Sequence, residues 1–199
     1  MTSDSYAWFR TDSYIELHDA IEFTHEHISR FPNDSASVRW AIIGSVLALQ
    51  SACIYQLDGH DSTGTSVLDN KSQMKVCDWH NSDWSENYPK KRLASSKDLL
   101  ERVQKTKETT TDFSQSWTNE DHKNCFYLID LRNEFIHFIP QGWSHALNGL
   151  PAQLLSCWSI IDLLISSPIL YQHRISAAVL SKSKMRAIAT VNILRDMDL

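Results

Sequence analysis

The sequence predicts an all-α fold, and three observations carry that prediction. Apolar residues recur at helical spacing in several long stretches; the 199 residues hold only five Gly and five Pro; and no segment alternates apolar and polar residues as a half-buried strand would. Hydrophobic residues make up 42% of the chain, with seven Trp and seven Phe, enough to fill a real core at this length.

The first helix is expected from a cap at Asp12 or Ser13, with Ile15, Ala20, Ile21, Phe23, Ile28 and Phe31 as its apolar stripe and Pro32-Asn33 as its stop. Asp34 or Ser35 then opens SVRWAIIGSVLALQSACIYQL, which is apolar over most of its circumference and therefore suits the centre of a bundle. It ends at Asp58-Gly59.

Residues 59–94 break the pattern: Gly, Ser, Asp and Asn cluster early, and Trp79, Trp84 and Tyr88 sit in polar surroundings. The expectation is a variable, partly mobile excursion from one domain that spans 1–199. Ser95 or Ser96 caps a short amphipathic helix, and a Thr-rich connection follows. Asn119 is the expected cap of EDHKNCFYLIDLRNEFIHF, whose first-turn acids suit the helix dipole. After a Pro-Gly loop, Pro151 stands in the first turn of a strongly apolar helix. Residues 167–183 read as irregular, and MRAIATVNILRDMD as a closing amphipathic helix. The sum is a bundle of five or six helices.

A net charge of −5 gives no general basic excess for nucleic acid or membrane, so any RNA contact must be local. Cys53, Cys77, Cys125 and Cys157 lie far apart, and three fall in apolar helical stretches, which suggests reduced thiols inside a cell. The N-terminal residues show neither a basic leader nor an apolar signal core, and no run of about 18 apolar residues stands out as a span. The expected location is the cytoplasm, with no membrane association.

The stretch LRNEFIHFIPQGWS carries the candidate chemistry. On a helical wheel Leu128, Leu131, Phe135 and Phe138 share the core face. Asn133 and His137 lie nearly opposite, with Asp130 pointing close to His137 from two turns earlier. Arg132 sits about 140° around from His137, so the two converge poorly within one chain, whereas two copies across a dimer axis would assemble a pocket of paired imidazoles and guanidiniums. An imidazole supplies proton transfer near neutral pH and a guanidinium clamps phosphate, which together suit RNA transesterification without metal.

Arg132-Asn133-Glu134-Phe135-Ile136-His137 resembles the R-x4-6-H signature of the HEPN superfamily, in the form with Asn directly after Arg near the end of a late helix. The resemblance implies an up-and-down helical core, dimerisation through the motif helices and, in many members, metal-independent RNA cleavage. It makes His137 the general acid or base, Arg132 the phosphate clamp and Asn133 an orienting residue, with no cofactor and no metal. It also suggests a toxin or defence effector, with an antitoxin or a nucleotidyltransferase-like protein as partner. The rival reading is a non-catalytic HEPN-like dimerisation or protein-interaction module, in which the same residues make polar contacts across a dimer.

Other clusters have plainer readings. Cys77 and His80 have the proximity of zinc ligands but no second ligand pair, so an unpaired Cys is preferred. His18, His25 and His27 read as solvated helix histidines. Pro89-Lys90-Lys91-Arg92, with Trp84 and Tyr88 nearby, could stack bases and track phosphate, although a solvated charge run is the preferred reading. Trp143 reads as a pin for its loop ahead of a base-stacking side chain. Phe113, Trp117 and Trp158 read as core aromatics, and no phosphate-binding Gly loop or G-x-S-x-G motif suggests another enzyme class.

Overall fold

The structure is a computed structural model, and it describes residues 12–31, 33–61, 63–84, 87–106, 109–137, 147–170 and 176–197. Among these it is all-helical: α1 (Ser13–Arg30), α2 (Ser35–Asp58), α3 (Asn70–His80), α4 (Ser96–Lys105), α5 (Asn119–Ile136), α6 (Leu150–Ser166) and α7 (Ala177–Arg195). Seven helices replace the expected five or six. The additional one, α3, lies inside the excursion, and an isolated antiparallel bridge joins Leu68 to Leu93 there. Its polar sequence buries only Ser72 and Val76 of its own residues, so no apolar stripe announces it; Asp69 starts it by accepting from the Ser72 amide.

Local chemistry sets most boundaries. Asp12 caps α1 through the amides of Tyr14 and Ile15, Asp34 caps α2, and Ser95 caps α4. The cap of α5 is Thr118, one residue before the expected Asn119. Its hydroxyl accepts from the Asp121 amide while the Asp121 carboxylate accepts from the Thr118 amide, a reciprocal pair that a lone Asn119 would not supply. Pro151 does occupy the first turn of α6, which starts from Gly149 at φ 85°. The lysine- and serine-rich start of α7 extends the last helix back into the stretch read as irregular.

Core helices α2 and α6 run side by side. Trp158 is fully buried and donates through Nε1 to Ser45 Oγ at 2.9 Å, and buried Gln56 donates to the carbonyls of Leu164 and Ser167. Gln56 thereby satisfies a last-turn carbonyl of α6 and that of its C-cap residue, groups that a helix end leaves unpaired. By length and composition α2 could cross a membrane, but 72% of its apolar window is buried inside the bundle. Its surface is spent on α1, α4, α5 and α6. Gly44 lets α1 approach: a Cβ there would overlap the Thr24 hydroxyl and press on Phe23. Phe113, Trp117, Cys53, Cys125 and Cys157 are buried as expected.

The first and last helices meet through polar rungs. His18 Nδ1 lies 3.0 Å from Ser183 Oγ, and His25 Nδ1 lies 2.9 Å from Thr190 Oγ1. Each hydroxyl donates its proton to a carbonyl one turn back, Val179 and Arg186 respectively, so the imidazole must be the donor in both rungs. Between them Arg186 pairs with Glu22 at 3.0 Å. Both partners advance in the same direction, so α1 and α7 are parallel. These histidines are half-buried connectors, and the expectation of solvated residues is corrected; His27 likewise reaches Ser37 Oγ at 3.3 Å.

Candidate functional site

The motif helix packs as its wheel requires in part. Leu128 and Leu131 are buried and Phe135 is half-buried against the core, while Phe138 and Trp143 lie outside the described residues. Cys125 and Ile129 also face inward. The remaining side of the helix divides into two environments.

Arg132 and Asn133 are half-buried and line a cleft of about 450 Å³ with Gln50, Ser96, Lys97 and Asp130. Arg132 Nη2 donates to Ser96 Oγ at 3.1 Å, and Ser96 donates onward to Gln50 Oε1 at 2.8 Å. This relay exists because Ser95 does the capping of α4 and leaves the buried Ser96 hydroxyl free to turn inward. Burial pushes the Arg132 guanidinium down from its ordinary value, which is high enough for the group to stay cationic at neutral pH. Asp130 pairs with Lys97 at 2.6 Å. It is therefore tied to α4.

His137 stands at the other end. It closes α5 as the C-cap residue, its amide donating to the Asn133 carbonyl at 2.9 Å, and its side chain is exposed. An imidazole in this place complements the negative end of the helix dipole. Within one chain Arg132 and His137 share no hydrogen bond among the described residues, in keeping with their 140° separation on the wheel. A different guanidinium attends the helix end: Arg39 Nη2 donates to the Phe135 carbonyl at 2.9 Å, and Arg39 Cζ lies 5.8 Å from the ring centres of both Phe135 and Trp40. Trp40 is 44% exposed and meets Phe23 edge-on at 6.1 Å. Arg39, Ser96 and Gln50 escaped the sequence reading because each lies on another helix. The only local signal was the doubled Ser95-Ser96 at a helix start.

A larger cavity, about 650 Å³, lies elsewhere, between the end of α2, the excursion and α4. Its polar groups are largely committed to structure. Arg102 donates to the carbonyls of Ser66 and Leu68, and His60 Nε2 accepts from the Thr110 amide at 3.1 Å. His60 Nδ1 lies 2.8 Å from the Gln56 carbonyl, so both ring nitrogens are engaged. No group of three or more His, Cys, Asp or Glu suited to a metal occurs among the described residues.

No family model matches the chain, and neither the curated proteins nor the solved structures yield a match.

Proposed function

We propose that the chain is a HEPN-like, metal-independent endoribonuclease that works as a homodimer through the α5 ends, with His137 as general acid or base and Arg132 as phosphate clamp. The observation that carries the reading is the end of α5 itself: an exposed imidazole follows a positioned guanidinium by five residues, on an all-α bundle, with Arg39 adding a second cation beside the same helix end. In the reaction the RNA 2′-oxygen attacks phosphorus as its proton passes to an imidazole. The 5′-oxygen leaves with a returned proton, and a 2′,3′-cyclic phosphate remains. A guanidinium stabilises charge on the phosphoryl oxygens. Asn133 belongs to the same cleft as Arg132 and would orient the substrate. Because Arg132 and His137 diverge within one chain, the reading requires a second copy to complete the site. A toxin or defence role, under an antitoxin or a nucleotidyltransferase-like partner, fits an acidic chain whose cleavage would be selective.

The test is RNA incubated with purified protein in chelator. Cyclic-phosphate ends are expected, and His137→Ala should lower their rate by about 10²–10⁴-fold while the dimer persists. Arg132→Ala should do likewise, and Arg39→Ala should weaken the reaction less. A second reading is favoured by the Arg132–Ser96–Gln50 relay, which uses the guanidinium for internal structure: a non-catalytic HEPN-like interaction module. A dimer that these substitutions dissolve, with no cyclic ends from the unaltered protein, would establish it.

A further inference from the structure

The excursion gathers aromatic and basic side chains that the proposed catalytic pair does not use. Trp79 and Trp84 stack with ring centres 5.6 Å apart and planes 8° from parallel. Tyr88 meets Trp79 edge-on at 4.8 Å, and Lys91 Nζ lies 5.2 Å from the centre of the Tyr88 ring. Trp84 is 63% exposed and Tyr88 45%. Exposed rings gathered into one patch are the feature that marks an interaction surface, in contrast to single exposed apolar residues.

The backbone is set to present them. Trp84 has φ 60°, a left-handed conformation that a bulky side chain enters at a cost. It is held there by its amide on Ser82 Oγ at 3.2 Å and its indole Nε1 on the His80 carbonyl at 3.3 Å. The pairing of residues 67–69 with 92–94 brings Lys90, Lys91 and Arg92 beside α3: the Asp69 amide donates to the Arg92 carbonyl, and the Arg92 amide donates to Ser72 Oγ. Lys90, Lys91 and Arg92 are all exposed.

Charge decides the class of occupant. Residues 69–92 carry five basic side chains, Lys71, Lys75, Lys90, Lys91 and Arg92, against the acidic Asp69, Asp78, Asp83 and Glu86, and three of the five stand together at 90–92, in a chain whose net charge is −5. A local basic excess around exposed parallel rings suits a polyanion that also offers flat π-faces. A single-stranded nucleic acid has both, since its bases are unstacked and its phosphates regularly spaced. Duplexes hide those faces, and an acidic peptide lacks them.

We infer that Trp84 and Tyr88, backed by Trp79 and flanked by Lys90 and Lys91, form a platform for single-stranded nucleic acid, separate from the α5 helix end. A base stacks on the open face of Trp84, and the lysines follow the adjoining phosphates. The platform does not depend on cleavage: it is an anchoring surface whether or not His137 is catalytic.

The experiment measures binding of a fluorescently labelled 12-nucleotide oligouridylate, fully 2′-O-methylated so that no attacking hydroxyl remains, by anisotropy at several salt concentrations. Binding that weakens with salt is expected, together with a loss of about tenfold in Trp84→Ala and partial retention in Trp84→Phe. Lys90→Glu and Lys91→Glu should each weaken binding and reduce the salt slope by about 0.7 or more. A matching 2′-O-methylated duplex should bind less well than the single strand. Circular dichroism checks that the bundle survives each change. No binding at low salt, equal affinity in folded Trp84→Ala, or a preference for the duplex would overturn the inference. Because the probe cannot be cleaved, these outcomes are separate from those of the nuclease test.

Discussion

Helix α2 and the excursion that leaves it at Gly59 are held by opposite means. Along α2 fifteen residues are buried, Leu49 among them, and Trp158 of α6 packs beside them without solvent contact. In the excursion the buried side chains are few, and order comes from polar turns: the Asp61 carboxylate accepts from the amides of Thr63, Thr65 and Ser66 at 2.7 Å each, and Arg102 ties the carbonyls of Ser66 and Leu68 to α4. Among the described residues α3 does not pack along another helix. The contrast separates a region whose stability comes from removing apolar area from water from one that depends on directional bonds in contact with water. It also separates two candidate sites, one on the rigid bundle and one on the polar outwork.

The difference can be broken at its strong end first. Trp158→Ala removes a fully buried indole and its bond to Ser45, and should cost about 3–5 kcal/mol, read as a large fall in the urea midpoint of the whole domain. Gly44→Ala should cost about 1–3 kcal/mol in the same measurement, since the added methyl meets Thr24 at the closest approach of α1 and α2. A smaller and local effect is expected at the outwork. Asp61→Asn keeps one acceptor oxygen of two and should cost about 1 kcal/mol, seen as faster amide exchange at Thr65 and Ser66 with no change in α6. Equal acceleration in α6 would mean that the two regions unfold as one.

Acid sharpens the same division. Burial pushes the Asp61 carboxyl up, but hydrogen bonds from Thr63 and Ser66 outweigh it and hold it well below the usual carboxylate range. Its folded value is depressed, so its contribution is complete above the unfolded value of about 3.9 and is lost as pH falls through the folded one. Exchange at Thr65 should therefore quicken in strong acid. His25 behaves in the same sense in a milder window: burial lowers its value, helped by Arg186 and opposed by Glu22. The α1–α7 contact is then complete above about pH 6.5 and weakens below it. The expected drop in melting temperature between pH 7.5 and 5.5 is the smallest of these effects, and His25→Gln should reduce it.

What the chain made legible follows the range of the forces involved. Asp12, Asp34, Ser95 and Pro151 act within three residues of themselves, and each stands at the boundary it marked. Helix α3 escaped because a polar helix anchored by Asp69 and a bridge between Leu68 and Leu93 has no apolar period to read. The histidines of α1 were misread for a related reason: their partners are on α7, far along the chain. At the candidate site, the wheel anticipated that Arg132 and His137 would diverge. It missed the partner of Asp130 because Lys97, on α4, is invisible to a single-helix wheel. The Pro89–Arg92 run was legible as charge, while the stacking of Trp79 on Trp84 is a tertiary fact.

The parallel rungs between α1 and α7 bear on when the domain can finish folding. Their partners lie 165 residues apart, so the face of α1 that carries His18 and His25 has nothing to meet until the last helix has been made. At about 5–20 residues per second that interval is roughly ten to thirty seconds of synthesis. Throughout it Leu17, Ile21 and Ile28 can already settle on α2, while the seam awaiting α7 stays open to water and to other chains. The imidazoles of His18 and His25 and the carboxylate of Glu22 on the α1 side of that seam make the wait tolerable: left unpaired they hydrate, whereas an apolar seam would invite association with neighbouring chains.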